Sequence, residues 1–302
     1  MSMLSDLDGL ATEAVDPRYR NLDLMSVAEL ATAMNDADSR VPGAVRAELP
    51  AIVPAIEAAS ARIASGGRLI YVGAGTPGRI GVVDASECPP TFNTPPELVF
   101  AIMAGGSDAI VTPKEGAEDD GPAGAAAIDA AGIGPLDTVI GIASSGRTPF
   151  VISAIERARS LGALTVGLSC NVDTALSAAS EYPIEVAVGP EVLTGSTRLK
   201  AGTAQKLVLN MFSTIVMVRQ GKTYGSLMVD LKPTNNKLRA RAIRMVAETA
   251  KASREEAQST LDTTGYDVKA SILILALDCT FNEAKKKLDQ SSGRLRLALE
   301  GA

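Results

Sequence analysis

Two stretches of this chain combine glycine with hydroxyl side chains: YVGAGTPGRIG (71–81) and IASSGRTPF (142–150). In the first, Gly73, Gly75 and Gly78 follow an apolar run at the spacing G-x-G-x-x-G, the pattern of a loop whose backbone approaches a phosphate at a helix N-terminus. Thr76 reads as the N-cap of that helix and Pro77 as its first residue. In the second, Ser144, Ser145 and Thr148 supply hydroxyls, Gly146 lets the backbone come close, and another helix is expected to open. Each loop by itself also has the composition of an ordinary strand-to-helix turn. Together they point to one small phosphorylated ligand. A dinucleotide fold would place an acid about twenty residues past the glycines, at the end of the second strand. That strand ends AIMAGG, which counts against NAD.

The chain has no histidine, so proton transfer falls to Asp, Glu, Lys, Tyr or Cys. Glu87, in DASECPP, is expected just after the helix opened by the first loop, and Glu118, in EGAEDD, just past the second strand. On consecutive connections of a parallel sheet, both can face one cleft. The plainer alternative for each is a solvated surface carboxylate or a helix cap. Cys88 has no imidazole to activate it and reads as packing. Arg198, Lys200 and Lys206, at the start of a long helix, face either an anionic ligand or solvent. Lys285, Lys286 and Lys287 read as a solvated helix face.

These groups need a scaffold. ELPAIVPAIEAASARIASG (48–66) has apolar residues at helical spacing and ends at Gly66-Gly67. Strands are expected in RLIYVGAG, ELVFAIMAGG (97–106), DTVIGIASSG (137–146), LTVGLSCN (164–171) and PIEVAVG (183–189). Short apolar runs alternating with Ala-rich helices imply an α/β fold with a parallel sheet covered on both faces. Residues 196–221 read as one long buried helix. From 236 onward only helices are expected, with Ser253 and Glu256 forming a capping box. The division implied is an N-terminal helical arm (1–47), a sheet domain (48–235) and a small helical domain (236–302). The arm's helices are short and need a partner surface to be ordered.

Of the 302 residues, 46% are hydrophobic and 21% charged, and the net charge is −6. With five Phe, five Tyr and no Trp, the chain has neither the basic footprint nor the stacking platforms of a nucleic-acid binder. It has no apolar run long enough to span a membrane, and MSMLSDLDGLATEAVD is acidic where a signal peptide would be basic, so a cytoplasmic location is expected. Three well-separated cysteines, Cys88, Cys170 and Cys279, give no disulfide framework and no metal-ligand spacing.

The segments GRLIYVGAGTPGRIGVVDASECPPTF, PKEGAEDD, GIASSGRTPFVI and VGPEVLTGSTRLKAGTAQKLVLNM resemble the N-acetylmuramic acid 6-phosphate etherase family, which is built on a sugar isomerase (SIS) domain. The similarity runs through most of the chain, including the helical tail. It implies an SIS-type three-layer α/β/α sandwich with a small C-terminal helical domain, a phosphosugar ligand, a homodimer, and no metal or cofactor. It implies Glu118 as the base and Glu87 as the acid, the latter raised in pKa by burial. It also implies a phosphate held among Thr76, Gly78, Arg79, Ser144, Ser145, Gly146, Arg147 and Thr148. Three positions depart from the family pattern: Pro77 stands where Ser is usual, and Asp16 and Tyr19 where Asn and Ser are usual. The resemblance implies cleavage of the lactyl ether carried on C3 of N-acetylmuramic acid 6-phosphate, whereas a phosphosugar aldose–ketose isomerase shares fold, anchor and base but needs no acid at that C3 oxygen. A non-catalytic phosphosugar sensor, as in the related glucokinase regulatory protein, needs neither glutamate.

Overall fold

The computed structural model describes residues 9–233 and 235–301. The first eight residues, on which half of the acidic N-terminal reading rests, lie outside the described residues, as do Thr234 and Ala302. The chain divides into two compact units. One comprises the residues up to Ser86 together with Glu97–Ser213, and the other comprises Glu87–Pro96 and the residues from Thr214 onward.

The first unit takes in α1 (Val27–Asp38), α2 (Val41–Ala47), α3 (Leu49–Ala64), β1 (Leu69–Gly73), α4 (Gly75–Phe92) as far as Ser86, β2 (Val99–Met103), α5 (Gly121–Ala130), β3 (Thr138–Ile142), α6 (Pro149–Ser160), β4 (Leu164–Ser169), α7 (Ala175–Ala179), β5 (Tyr182–Glu185) and α8 (Lys200–Arg219) as far as Ser213. Its five strands are parallel in the order β2-β1-β3-β4-β5, one in each predicted apolar run. β1, β3 and β4 are buried along their whole length, as continuous apolar strands must be when helices cover both faces. Ile70, Val72 and Val139 pack with Ile128 of α5, Phe150, Val151, Ala154, Ile155 and Ala158 of α6, and Leu176 of α7. The alternate residues face the other way: Gly81 of α4 lies against Tyr71 and Ile142, and the Tyr71 hydroxyl donates to Asp84 Oδ2 at 2.7 Å.

Part of the N-terminal arm finds its surface on its own sheet. Thr12 is fully buried. Its N–H donates to Asn171 Oδ1 at 3.3 Å, and its hydroxyl oxygen accepts from Asn171 Nδ2 at 2.9 Å. Further along the arm, Val15, Leu24 and Val27 stay exposed.

The second unit is helical: α9 (Asn236–Ala250), α10 (Arg254–Thr263), α11 (Val268–Leu277), α12 (Phe281–Gln290) and α13 (Leu295–Glu300). Ala242, Val246, Ala257, Leu261, Ile272, Leu273, Ala284, Leu288 and Leu295 form its core. The Ser253/Glu256 capping box is present, and Thr280 and Glu283 form another at α12. Within the core, Lys269 Nζ donates to Asp230 Oδ2 at 2.6 Å and to the Gly293 carbonyl at 2.7 Å.

Candidate active site

β1 is followed by a crossover to β2 on one side, and β3 lies on its other side, so the sheet order reverses between β1 and β3. Open parallel sheets bind ligands outside the strand carboxyl ends at such a point, because the two connections diverge and leave a crevice. Gly73, the last residue of β1, is paired with Ile142 of β3 and Met103 of β2. The three connections that carry the predicted residues therefore leave neighbouring strands at one edge.

In the first loop the glycines act through packing. A Cβ on Gly73 would lie 2.5 Å from the Gly78 nitrogen, and one on Gly78 would lie 2.7 Å from the Gly73 carbonyl oxygen. Only two glycines let the helix start this close to the strand end. α4 begins at Gly75, whose φ is +57°, so Thr76 is not the N-cap and Pro77 is not the first residue. Thr76 and Pro77 are the second and third residues of the helix. Proline is tolerated there because the first N–H groups of a helix have no intrahelical acceptor. The Thr76 methyl faces the first turn of α8: a Cβ on Gly202 would lie 3.6 Å from Thr76 Cγ2. Arg79 is committed locally, donating through Nε to the Ile110 carbonyl and through its terminal nitrogen to the Ala109 carbonyl, both at 2.8 Å.

Those bonds hold the 107–110 turn over the loop, and between them lies a cavity of about 170 Å³ whose lining includes Ala74, Gly75, Arg79, Lys114 and Glu118. Glu118 is exposed into this space and its backbone is fixed: its carbonyl accepts the N–H of Phe150, in the first turn of α6, at 3.0 Å. α5 follows at once, capped by Asp120, whose side chain accepts from the Ala123 N–H at 2.9 Å. The second loop is thus tied to the segment that carries Glu118.

In that second loop, Ser144 is buried and its hydroxyl oxygen accepts from Gln205 Nε2 at 3.0 Å. Ser145 is half-buried, its hydroxyl accepting from the Arg147 N–H at 3.2 Å, which tightens the turn. Gly146 has φ +67°, and a Cβ there would lie 2.4 Å from Thr174 Cβ. Thr148 is the N-cap residue of α6, yet its side chain makes no capping bond, which leaves the hydroxyl at the mouth of the helix. Arg147 is exposed beside it.

Glu87 departs from the sequence expectation in two ways. It lies inside α4, which continues through Pro89 and Pro90 to Phe92, not after the helix. It is also exposed, where burial was expected. It opens the stretch Glu87–Pro96, which groups with the helical unit, whereas Glu118 belongs to the sheet unit. Cys88, next to it, is buried, in keeping with a packing role.

Of the basic candidates, Arg198 and Lys206 are exposed, but Lys200 is buried and donates from Nζ to the Val188 carbonyl at 2.8 Å. Its neighbour Glu191 is fully buried and accepts the N–H groups of Lys200 and Ala201 at 3.1 and 3.0 Å, capping α8 with both carboxylate oxygens. Burial pushes Glu191 up in pKa against the pull of those N–H groups and the Lys200 ammonium. Burial likewise lowers Lys200, opposed by Glu191. Cys170, buried near this pair, is pushed up to about 12 by desolvation and then by the Glu191 charge, so it is an inert thiol.

Sequence reasoning missed the polar groups that hold the site in place. Asp84 is buried between β1 and α8, accepting from Tyr71, from Asn210 Nδ2 at 2.6 Å and from Ser213 at 3.1 Å. Gln205 and Asn171 are buried as well. Asp84 and Gln205 are polar residues at helical spacing among apolar ones, the signal that could have singled them out.

Residues 51–159 match the model of the glucokinase regulatory protein N-terminal SIS domain, and residues 121–215 match the SIS domain model. A phosphoheptose isomerase from Francisella tularensis shares the fold, with a TM-score of 0.51 and 21% identity, covering 64% of this chain and all of that one. The chain is 54% identical over 298 residues to the N-acetylmuramic acid 6-phosphate etherase of Streptomyces coelicolor, covering 99% of this chain and 96% of that protein. It is 52% identical over 293 residues to the etherase of Rubrobacter xylanophilus, covering 97% of each. With identity of this level running from end to end, and with an SIS sheet carrying its glycine and serine loops at the switch point, the chain belongs to the N-acetylmuramic acid 6-phosphate etherase family.

Proposed function

We propose that this chain is a carbon–oxygen lyase that cleaves the lactyl ether of N-acetylmuramic acid 6-phosphate, giving N-acetylglucosamine 6-phosphate and D-lactate. The observation that carries the reading is the end-to-end identity of about half the residues with etherases, across both glutamate-bearing segments. The loop Ser144–Thr148 and the start of α4 anchor the phosphate, which leaves the sugar's C1–C3 region for chemistry. In the open-chain sugar the C1 aldehyde acidifies the C2 proton. Glu118 takes that proton, the electron pair moves to form the C2–C3 double bond, and the C3–O bond breaks as Glu87 protonates the departing lactate oxygen. Water then adds at C3 and a proton returns to C2, so the net change is hydrolysis of the ether. A positioned general acid or base contributes about 10²–10⁴-fold.

The roles are separable. Glu118→Gln is expected to abolish exchange of the C2 proton with deuterated solvent as well as lactate release, while Glu87→Gln blocks release more severely than exchange. Near-normal lactate production by Glu87→Gln would refute its role as the acid. An isomerase would turn over without releasing D-lactate, so the same assay separates that alternative.

We also propose a homodimer in the cytoplasm. The exposed Val15, Leu24 and Val27 of the arm supply an apolar surface for a second copy. Among the described residues no helix is long and apolar enough to cross a membrane. Sedimentation at micromolar concentration and cell fractionation test these two statements.

A further inference from the structure

Ser144 ends up at the carboxyl edge of β3 held by two other segments. Its carbonyl accepts from Asn171 Nδ2 and from the Cys170 N–H, each at 3.0 Å. Its hydroxyl oxygen accepts from Gln205 Nε2 of α8, also at 3.0 Å. Gln205 is fully buried, and its Oε1 has no hydrogen-bond partner among the described residues. A buried, unpaired acceptor costs stability, and methionine would fill the same space without it. Position 205 thus keeps a polar group at a cost, and the bond that group makes is the one to Ser144.

A serine hydroxyl has one proton to donate and two lone pairs that accept. Because Gln205 fills a lone pair, the Ser144 proton is left to point elsewhere. α8 also touches the other loop, since its first turn packs on Thr76 one helical turn before Gln205. We propose that Gln205 is a positioning residue of the phosphosugar site: from α8 it fixes the Ser144 hydroxyl as a donor to the anionic ligand. The inference rests on the reading of the Ser144–Thr148 loop as the anchor.

The test compares S144A, Q205M, Q205E and the double variant S144A/Q205M. Steady-state kinetics with N-acetylmuramic acid 6-phosphate, competitive inhibition by inorganic phosphate, and thermal midpoints are measured for each. Q205M is expected to raise KM and the phosphate inhibition constant about tenfold, the loss of one well-aimed hydrogen bond, with kcat within about twofold and the thermal midpoint unchanged or higher. Q205E, whose carboxylate draws the Ser144 proton to itself, is expected to raise KM further, and S144A/Q205M should bind no more weakly than S144A. If S144A raises KM while Q205M leaves it unchanged, the role of Gln205 is overturned and the anchor stands. If S144A also leaves KM unchanged, the anchor reading fails and the proposal with it. A lower thermal midpoint with reduced kcat at constant KM makes Gln205 merely structural. Should Q205M not fold, Q205L takes its place; failure of both identifies a core residue and overturns the proposal.

Discussion

Helices α5 and α6 meet through Gly124, and that contact sets where Glu118 sits. A Cβ at position 124 would lie 2.0 Å from the Phe150 carbonyl oxygen and 2.9 Å from its carbon. Both partners are backbone, so no side chain can swing aside, and the helices must separate by roughly 1 Å to reach van der Waals contact. Phe150 is also the residue whose N–H binds the Glu118 carbonyl. For Gly124→Ala two effects compete. Helix propensity favours alanine by about 1 kcal/mol. Overpacking against rigid backbone costs about 1–3 kcal/mol, at the upper end here, so a net loss of about 1–2 kcal/mol is expected. With Glu118 as the proposed base, a displacement of about 1 Å is expected to cost on the order of 10²-fold in rate. Urea unfolding measures the first quantity and D-lactate release under saturating substrate the second. Gly134→Ala is the control, because nothing lies within 4 Å of its Cβ position, and it should stay within about 0.5 kcal/mol of the parent. A Gly124→Ala protein as stable as the parent, with kcat within twofold, would refute the claim that this contact positions Glu118.

Gly146→Ala places a side chain at φ +67° and 2.4 Å from Thr174 Cβ, so it should lose about 1–3 kcal/mol of stability and raise KM more than it lowers kcat; an unchanged KM would count against the loop as anchor. At the other end of the sheet, burial raises the Asp137 carboxyl, but bonds from the Arg68 side chain, the Gly134 N–H and the Arg68 N–H outweigh it and hold it below the ordinary 3.8. A depressed carboxylate contributes stability that is present above the unfolded value and is lost as pH falls through the folded one. Asp137→Asn should therefore be less stable by about 2 kcal/mol at pH 7, with a gap that narrows below pH 3.8 and no change in KM; a gap independent of pH in urea unfolding would sink this account. In the helical unit, Lys269→Met removes the buried partner of Asp230, which keeps Lys222 at 3.4 Å, so a loss of about 1–3 kcal/mol is expected in thermal denaturation and a wild-type midpoint would contradict it.

The strands and the two loops were legible in the sequence because they depend on local rules. An apolar run of five residues next to glycine cannot be left in water, and a strand buried on both faces needs no alternation, so each predicted run became a strand of one parallel sheet. The capping box at Ser253 and Glu256 was equally local. Where α4 starts and ends was not legible: Gly75 opens it one residue before Thr76, and Pro89 and Pro90 lie within it, because packing outweighs local propensity. Nor could spacing reveal what the buried polar residues hold. Asp84, Asn171 and Gln205 find their partners 126, 159 and 61 residues away, in Asn210, Thr12 and Ser144. Sequence alone named Glu118 and Ser144. Only the folded sheet, by reversing its order between β1 and β3, brought their loops to the same edge, since strand order follows from how helices cover two faces and not from any single segment.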